Sequence, residues 1–425
     1  MHIVHKIALD PNNKQKTYFK KASGCARFAY NWTLAEWRSQ YEVGGQPSEI
    51  NLRRYLNSIK EDKYPWMLEV TKNAVQQAVK NAGKAFQNFF ARLKSKAKKA
   101  GYPRFKKKGL HDSFRADAGP QTKGEDAVRV DGKYVILPII GRIKLFERLR
   151  FIGQVMSAIV SRTGGRWFVA LTVVVPDQTL LRKNHGNIDI DLGITAQTTS
   201  ISDAFIPIPV KTTAPKPLKV LEKTRARLQR ILARRLRYSK NWYDAKIRLC
   251  KLENHIANIR LDDLHKLTTA FVQNCKAICL ESLNVTGMLA NHCLAKAISD
   301  IGFGRFKSFI EYKALQYATT VVLVQRFFPS TKKCHCCGTV RPDLTLKDRE
   351  WNCHYCGVTH DRDINAALNL LIYLLVPAVH REVTPEEYTA LVEGTLTSAY
   401  RSTLSRESDT MIIPEIGCTI LGNSG

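Results

Sequence analysis

No run of about eighteen apolar residues occurs in this chain of 425 residues, which speaks against a membrane-spanning helix. The N-terminal MHIVHKIALDPNNK lacks the long apolar core of a secretory signal, so a cytoplasmic protein is expected. No tandem repeat of fixed period is present, which excludes a solenoid or propeller array. Acidic residues are scarce: 37 stand against 66 lysines and arginines, a net charge of +29. A charge that large repels itself unless a polyanion neutralises it, so nucleic acid is the expected partner. The scarcity is also local. Between Glu69 and Asp112 there is no acid at all, while Lys and Arg recur and Tyr102, Phe105 and Phe114 are interleaved with them. That mixture favours a surface that contacts phosphates and bases over a merely solvated charged face.

What is present is concentrated. Of eleven cysteines, five fall between positions 334 and 356. This suits one metal site in a reducing compartment better than a disulfide framework. Cys334 and Cys337 form one C-x2-C pair, and Cys353 and Cys356 a second after fifteen intervening residues. Gly338 and Gly357 follow the pairs and permit the tight turn of a knuckle. Four thiolates so spaced close a tetrahedron around one structural zinc ion with no open position. Cys336 is an alternative to Cys337, disfavoured by the x2 spacing and the following glycine.

The hydrophobic pattern predicts an α+β chain of several domains. HIVHKIAL at 2–9 reads as a strand, 12–41 as a helix with one apolar face, and 71–99 as a long amphipathic helix. Residues 126–176 alternate as short strands broken by Gly and Pro, suggesting a small barrel that the strand at 2–9 would complete. NIDIDLGI, KAICLESLNV and TTVVLVQRFFP read as further strands, with a long basic helical region at about 219–275. HDRDINAALNLLIYLL returns to helix. Beyond Pro377 periodicity weakens, and 377–425 is expected to be a weakly structured tail.

Three acids sit in costly contexts. Asp191 lies in an apolar strand, Glu281 ends the apolar run AICLE, and Asp363 opens a helix. A charge at the end of a buried strand is expensive unless a metal or cation compensates it. Converging at one sheet edge, the three would suit two-metal phosphodiester hydrolysis, with two Mg2+ ions held by hard oxygen ligands. Each taken singly is equally a turn or cap residue; Asp363 would make a reasonable helix N-cap. Asp189 shares a strand face with Asp191, as an additional ligand or as a solvent-facing strand-start residue.

IDIDLGI, ICLESLNV, the C-x2-C pair after PSTKK, and CGVTHDRDINAALN together resemble the TnpB proteins of insertion sequences. GCARFAYNWTLAEW, YPRFKKK and IANIRLDDLHKLTTAFV extend the resemblance over most of residues 1–375. It implies an RNase H-like (RuvC) α/β nuclease at 183–328 and 360–376 with Asp191, Glu281 and Asp363 as its Mg2+-binding triad. A target-nucleic-acid-binding zinc ribbon at 329–359 would be inserted before the last acid. Residues 1–11 and 118–182 would form an oligonucleotide-binding-like wedge barrel, with 12–117 as a helical recognition insertion. The implied partners are a guide RNA from the transposon end and double-stranded target DNA flanked by a short motif, in a nucleoid-associated enzyme of a transposable element. An RNA-guided DNA-binding regulator without cleavage is the alternative. Arginines of 225–237 (Arg225, Arg234 and Arg235) and the surface of 71–108 would contact phosphates. Gln76, Gln77 and Lys80 could read the flanking motif, as could Ser113 and Phe114. Two departures stand out: the family usually has glycine where this chain has Asp189, and Cys336 is an extra thiol.

Overall fold

The structure is a computed structural model. It describes residues 1–95, 100–109, 112–117, 127–176, 186–204, 206–325, 327–345, 348–376, 385 and 387–390. The end of the helix expected over 71–99, the linker up to residue 185 and most of the tail at 377–425 lie outside the described residues. The chain divides into two compact units: Met1–Asp177 with Arg235–Lys251, and Gln178–Arg234 with Leu252–Gly425.

The first unit joins a sheet to a helical insertion. β1 (His2–Asp10) leads into α1 (Asn13–Glu42), α2 (Glu49–Lys63) and α3 (Lys72–Lys94). β2 (Ser113–Asp117), β3 (Arg129–Asp131), β4 (Tyr134–Leu137), β5 (Gly141–Leu145), β6 (Gln154–Thr163) and β7 (Arg166–Val174) follow. The strands form one antiparallel sheet in the order β2-β6-β7-β1-β5-β4-β3. β1 is central in that order, pairing with β7 from His2–Val174 to Ala8–Phe168 and with β5 at Leu9–Leu145. The helix after it starts sharply because Asn12 and Gln15 cap each other: Gln15 N donates to Asn12 Oδ1 (2.9 Å) and Asn12 N to Gln15 Oε1 (3.0 Å). The expected apolar face of α1 is the buried one, including Phe19, Ala22, Cys25, Ala29 and Leu34. On α3 the stripe is buried from Ala74 to Phe86, then opens: Phe90 is 38% and Leu93 51% exposed.

The second unit is built on a mixed sheet. β8 (Gly186–Leu192), β9 (Thr198–Thr199) and β10 (Lys211–Thr212) come first, then α4 (Pro217–Val220) and α5 (Glu222–Ala233). α6 (Lys240–Asn274) begins in the first unit and continues into the second. The basic helical region expected as one stretch is therefore broken between α5 and α6, where Tyr238 adopts φ +70°. β11 (Cys275–Glu281), α7 (Val285–Ala290), α8 (His292–Ile301), α9 (Phe303–Tyr317) and β12 (Thr320–Val324) follow. β13 (Glu350–Asn352), β14 (Thr359–Asp361) and α10 (Arg362–Leu375) end the series. The five-stranded order is β10-β9-β8-β11-β12, with β8, β11 and β12 parallel and β9 antiparallel to β8. Ile188, Ile190, Ile278 and Leu280 are buried with Phe271 and Phe306 from α6 and α9. Cys279 packs with Leu370 and Tyr373 of α10. Among the described residues no helix is long and apolar enough to cross a membrane.

Candidate functional site

Parallel pairing sets two of the acids side by side. Ile190 is level with Leu280, so Asp191 and Glu281 come next at the carboxyl ends of adjacent strands, on one face. β8 also marks the point where strand order reverses, the usual crevice for ligands in open α/β sheets. Asp363 arrives on the first turn of α10, which packs against β8 and β11. Its carboxylate lies 3.3 Å from Arg362 and 3.5 Å from Arg349. Asp191 feels both of the other acids. Burial first, then the negative charges of Glu281 and Asp363, push its carboxyl up to about 7. Among the described residues the four cysteines gather their sulfurs within 4.8 Å of one another. A divalent cation would reverse the sign of the problem, favouring the ionised acids.

Two sequence alternatives are decided here. Asp361, and not Asp363, caps α10: its Oδ1 accepts from the backbone N–H groups of Asp363 and Ile364, both at 2.9 Å. With the cap filled, the cap alternative for Asp363 falls. Asp189 is not solvent-facing, being 0% exposed. It lies beside Cys279 in the register, and its Oδ1 accepts from Ile201 N at 2.8 Å.

The cysteine pairs form twin knuckles. Gly338 and Gly357 take φ +75° and +72°, a left-handed conformation glycine adopts at no steric cost. Gly338 N donates to Cys334 O (2.9 Å), and Gly357 N to Cys353 O (3.0 Å). The sulfurs of Cys334 and Cys356, and of Cys337 and Cys353, are each 3.6 Å apart. A zinc tetrahedron with bonds of about 2.3 Å has edges of roughly 3.8 Å, so these four cysteines fit one zinc ion. Cys336 is buried but outside the set. His360, which sequence reasoning passed over, sets its Nε2 3.1 Å from Cys334 Sγ and packs on Trp351. Ligand sulfurs and imidazoles are commonly steadied by such outer contacts.

A hydrogen-bonded seam joins the knuckle to the acids. Ser330 Oγ donates to Glu281 Oε1 at 2.5 Å. The Asn369 amide donates to Ser330 O (2.8 Å) and Lys333 O (2.6 Å). Asn365 Oδ1 accepts from His335 N at 3.0 Å. Tyr388 completes the seam: it is 1% exposed, its hydroxyl donates to Asn369 Oδ1 (3.3 Å), and Lys333 Nζ lies 4.2 Å above its ring. A Cβ on Gly338 would stand 2.7 Å from that ring. Thr389 Oγ1 donates to Cys336 O at 3.2 Å. This part of 377–425 is thus helical backbone packed on the ribbon, a correction to the weakly structured expectation for Pro385 and Glu387–Ala390. The signal available in sequence was one tyrosine in a polar stretch, too little to find it.

The candidate nucleic-acid contacts fare unequally. Phe114 is a core residue, 4% exposed and packed on Tyr18 and Phe19, so its expectation as a base contact is corrected. Strand alternation in β2 turns Phe114 inward and leaves Ser113 partly exposed. Gln77 Nε2 is engaged by Asp117 Oδ2 at 2.8 Å. Gln76 is half-buried and Lys80 exposed. Arg225 pairs with Glu253 (2.6 Å), while Arg234 and Arg235 are exposed.

Comparison with known proteins agrees with this organisation. Three family descriptions match: a helix-turn-helix domain over residues 1–46, a probable transposase over 171–292, and a Cas12f1-like TNB domain over 303–370. A Streptomyces pristinaespiralis protein provisionally named an RNA-guided DNA endonuclease is 32% identical over 377 residues, 86% of this chain and 88% of that protein. InsQ of Escherichia coli strain K12, with the same provisional name, is 28% identical over 383 residues, 86% of this chain and 90% of its own. The Cas12f1 chain from a Cas12f1–sgRNA–target DNA complex aligns with a TM-score of 0.53 at 16% identity, covering 84% of this chain and 82% of that one. That mixed α/β fold, a four-cysteine cluster and relatives matched over most of their length give one conclusion: this chain belongs to the TnpB family.

Proposed function

We propose that the protein is an RNA-guided DNA endonuclease of a transposable element, cutting double-stranded DNA beside a short flanking motif. One observation carries the catalytic part: Asp191 senses Glu281 and Asp363 together at the carboxyl edge of a parallel pair. In this reading the second unit is the RNase H-like (RuvC) nuclease, with residues 329–359 as its zinc ribbon. The sheet of the first unit is the oligonucleotide-binding-like wedge, and the helices of 12–117 are the recognition insertion.

Asp191, Glu281 and Asp363 would hold two Mg2+ ions, whose chemistry is to lower the pKa of an attacking water and stabilise the departing oxygen. The protein's own part is positioning. Ser330 orients the Glu281 carboxylate through one oxygen, leaving the other for a ligand. Asp361 anchors the first turn of α10 and so fixes where Asp363 stands. Arg349 and Arg362 pair with the Asp363 carboxylate and so help to fix where it stands. Guide pairing would read the target sequence, and the basic surface would hold the heteroduplex through its backbone.

The test is cleavage by the protein assembled with RNA transcribed from its own locus. The substrate is a plasmid bearing a matching target beside randomised flanks. A linear product that disappears with EDTA and in Asp191→Ala supports the reading. Protection of the target without cutting would replace it by the regulator, and DNA strand transfer without RNA would remove the guided function.

A further inference from the structure

The first unit carries a groove of about 970 Å3. Its walls are α1, the loop before β2, the β6–β7 turn and the start of α6. Lys20, Arg27, Lys108, Arg162 and Lys246 line it against a single acid, Asp112. That acid is already spoken for, accepting from Arg27 Nη1 (3.4 Å) and Gly109 N (3.2 Å). Among the described residues that line it, the groove therefore has a surplus of positive charge.

It also has rings. Tyr238, Trp242 and Tyr243 line one side, with centroids 5.6 and 5.2 Å apart in succession. Tyr238 is 64% and Tyr243 48% exposed. Tyr238 holds φ +70°, a conformation a bulky residue rarely adopts. Lys246 Nζ lies 4.9 Å from the Trp242 ring centre, placing a cation over the platform. A second cavity of about 590 Å3 shares Arg27 and is lined by Phe28, Trp32, Tyr64 and Phe105. Rings thus continue along α1 beyond the first groove.

Duplex nucleic acid would satisfy the cations and leave the rings bare, because its bases are stacked inside. An apolar peptide would cover the rings and strand the cations. An unpaired polynucleotide satisfies both, each base having a π-face and each nucleotide a phosphate. We propose that this groove seats an unpaired stretch of the guide RNA, bases on Trp242 and Tyr243, phosphates on Arg162, Lys246 and their neighbours. The assignment rests on the RNA-guided reading. RNA is chosen over a displaced DNA strand because the groove is walled within one unit by packed elements, which suits a resident ligand. Gly165 belongs to that wall: a Cβ there would touch Ile247 of α6 at 3.4 Å.

The experiment uses the full-length Asp191→Ala chain and RNA transcribed from the DNA that follows the gene, carrying 4-thiouridine. Ultraviolet crosslinking and mass spectrometry should find RNA on the peptide containing Tyr238, Trp242 and Tyr243. Trp242→Ala should weaken RNA binding about tenfold, with Trp242→Phe restoring most of it. Arg162→Gln, a surface change that spares the core, should lower the log–log salt slope by about 0.7. RNA bound equally well by all three variants, with crosslinks elsewhere, overturns the groove and leaves the guided reading standing. Crosslinks here to a displaced DNA strand and not to RNA overturn the choice of ligand. Failure of the parent chain to bind any RNA removes both readings.

Discussion

The four cysteines and the three proposed metal-binding carboxylates lie in one unit, yet they are built in opposite ways. The cysteine site is local: two knuckles, each closed by its own backbone hydrogen bonds, bring four sulfurs within 4.8 Å. The carboxylate site is assembled from three distant segments, and its charges oppose one another, a conflict the proposed cations would relieve. A soft, closed site makes the metal part of the fold, because binding it and closing the ligand loops are one event. A hard, open site leaves the fold to the sheet and makes the metal a dissociable partner. The contrast can be broken from either side.

The largest expected effect lies on the cysteine side. Structural zinc in small modules contributes on the order of 10 kcal/mol or more to folding. Cys337→Ser should reduce zinc to well under one ion per chain by metal analysis and open the ribbon to limited proteolysis. If zinc content and protease resistance both survive, the ribbon is held by protein contacts and the contrast fails. On the other side, Asp191→Ala should abolish measurable plasmid cutting while zinc content stays at one per chain. Cutting within tenfold of the parent would remove Asp191 from the site.

Next comes the tyrosine that ties the ribbon down. Truncating a fully buried aromatic side chain costs roughly 3–5 kcal/mol, so Tyr388→Ala should lower the melting temperature by several degrees. Gly338→Ala should act alike, since it adds strain at φ +75° and a clash 2.7 Å from the same ring. A double variant no worse than either single one would show that both act at one contact. An unchanged melting temperature in Tyr388→Ala would mean that the contact contributes nothing to stability.

A smaller effect tests the charge conflict directly. Raising a carboxyl from 3.8 to about 7 makes its ionisation unfavourable to the fold. The stabilisation that protonated Asp191 contributes is complete below the unfolded value and disappears as pH rises through about 7. Protein stripped of Mg2+, with zinc retained, should therefore melt lower at pH 8 than at pH 5.5. Added Mg2+ should recover more at pH 8, where Asp191 is ionised to receive it. Asp191→Asn should flatten both dependences; an equal response in that variant would assign them to other groups.

How much of this could be read from sequence follows the same local-versus-distant divide. The cysteine spacing and its glycines are local facts, and the apolar face of α1 is a local period. The acids stood out because charge in an apolar strand is costly, but nothing in HDRDIN says which aspartate caps the helix. Hydrogen bonding decided that for Asp361. Phe114 looked exposed because cations surround it, whereas the β2–β6 pairing sets the phase that buries it. Ser330 and Tyr388 owe their roles to partners 49 and 19 residues away, which no period or spacing reveals.

Ser330 offers the finest probe, because it belongs to both sites at once. Its carbonyl is held by Asn369, in the seam that carries the knuckle, and its hydroxyl reaches Glu281. Ser330→Ala keeps the first contact and removes the second. A hydrogen bond to a charged group is typically worth about 1.5–3 kcal/mol, but a carboxylate held by metal ions would keep most of its orientation. Cutting should fall about tenfold or less, with zinc content unchanged, and higher Mg2+ should recover part of the loss. Recovery by Mg2+ means that Ser330 positions a metal-binding carboxylate. A loss that accompanies zinc release would instead mean that the serine supports the ribbon, and that the two sites are less separate than their construction suggests.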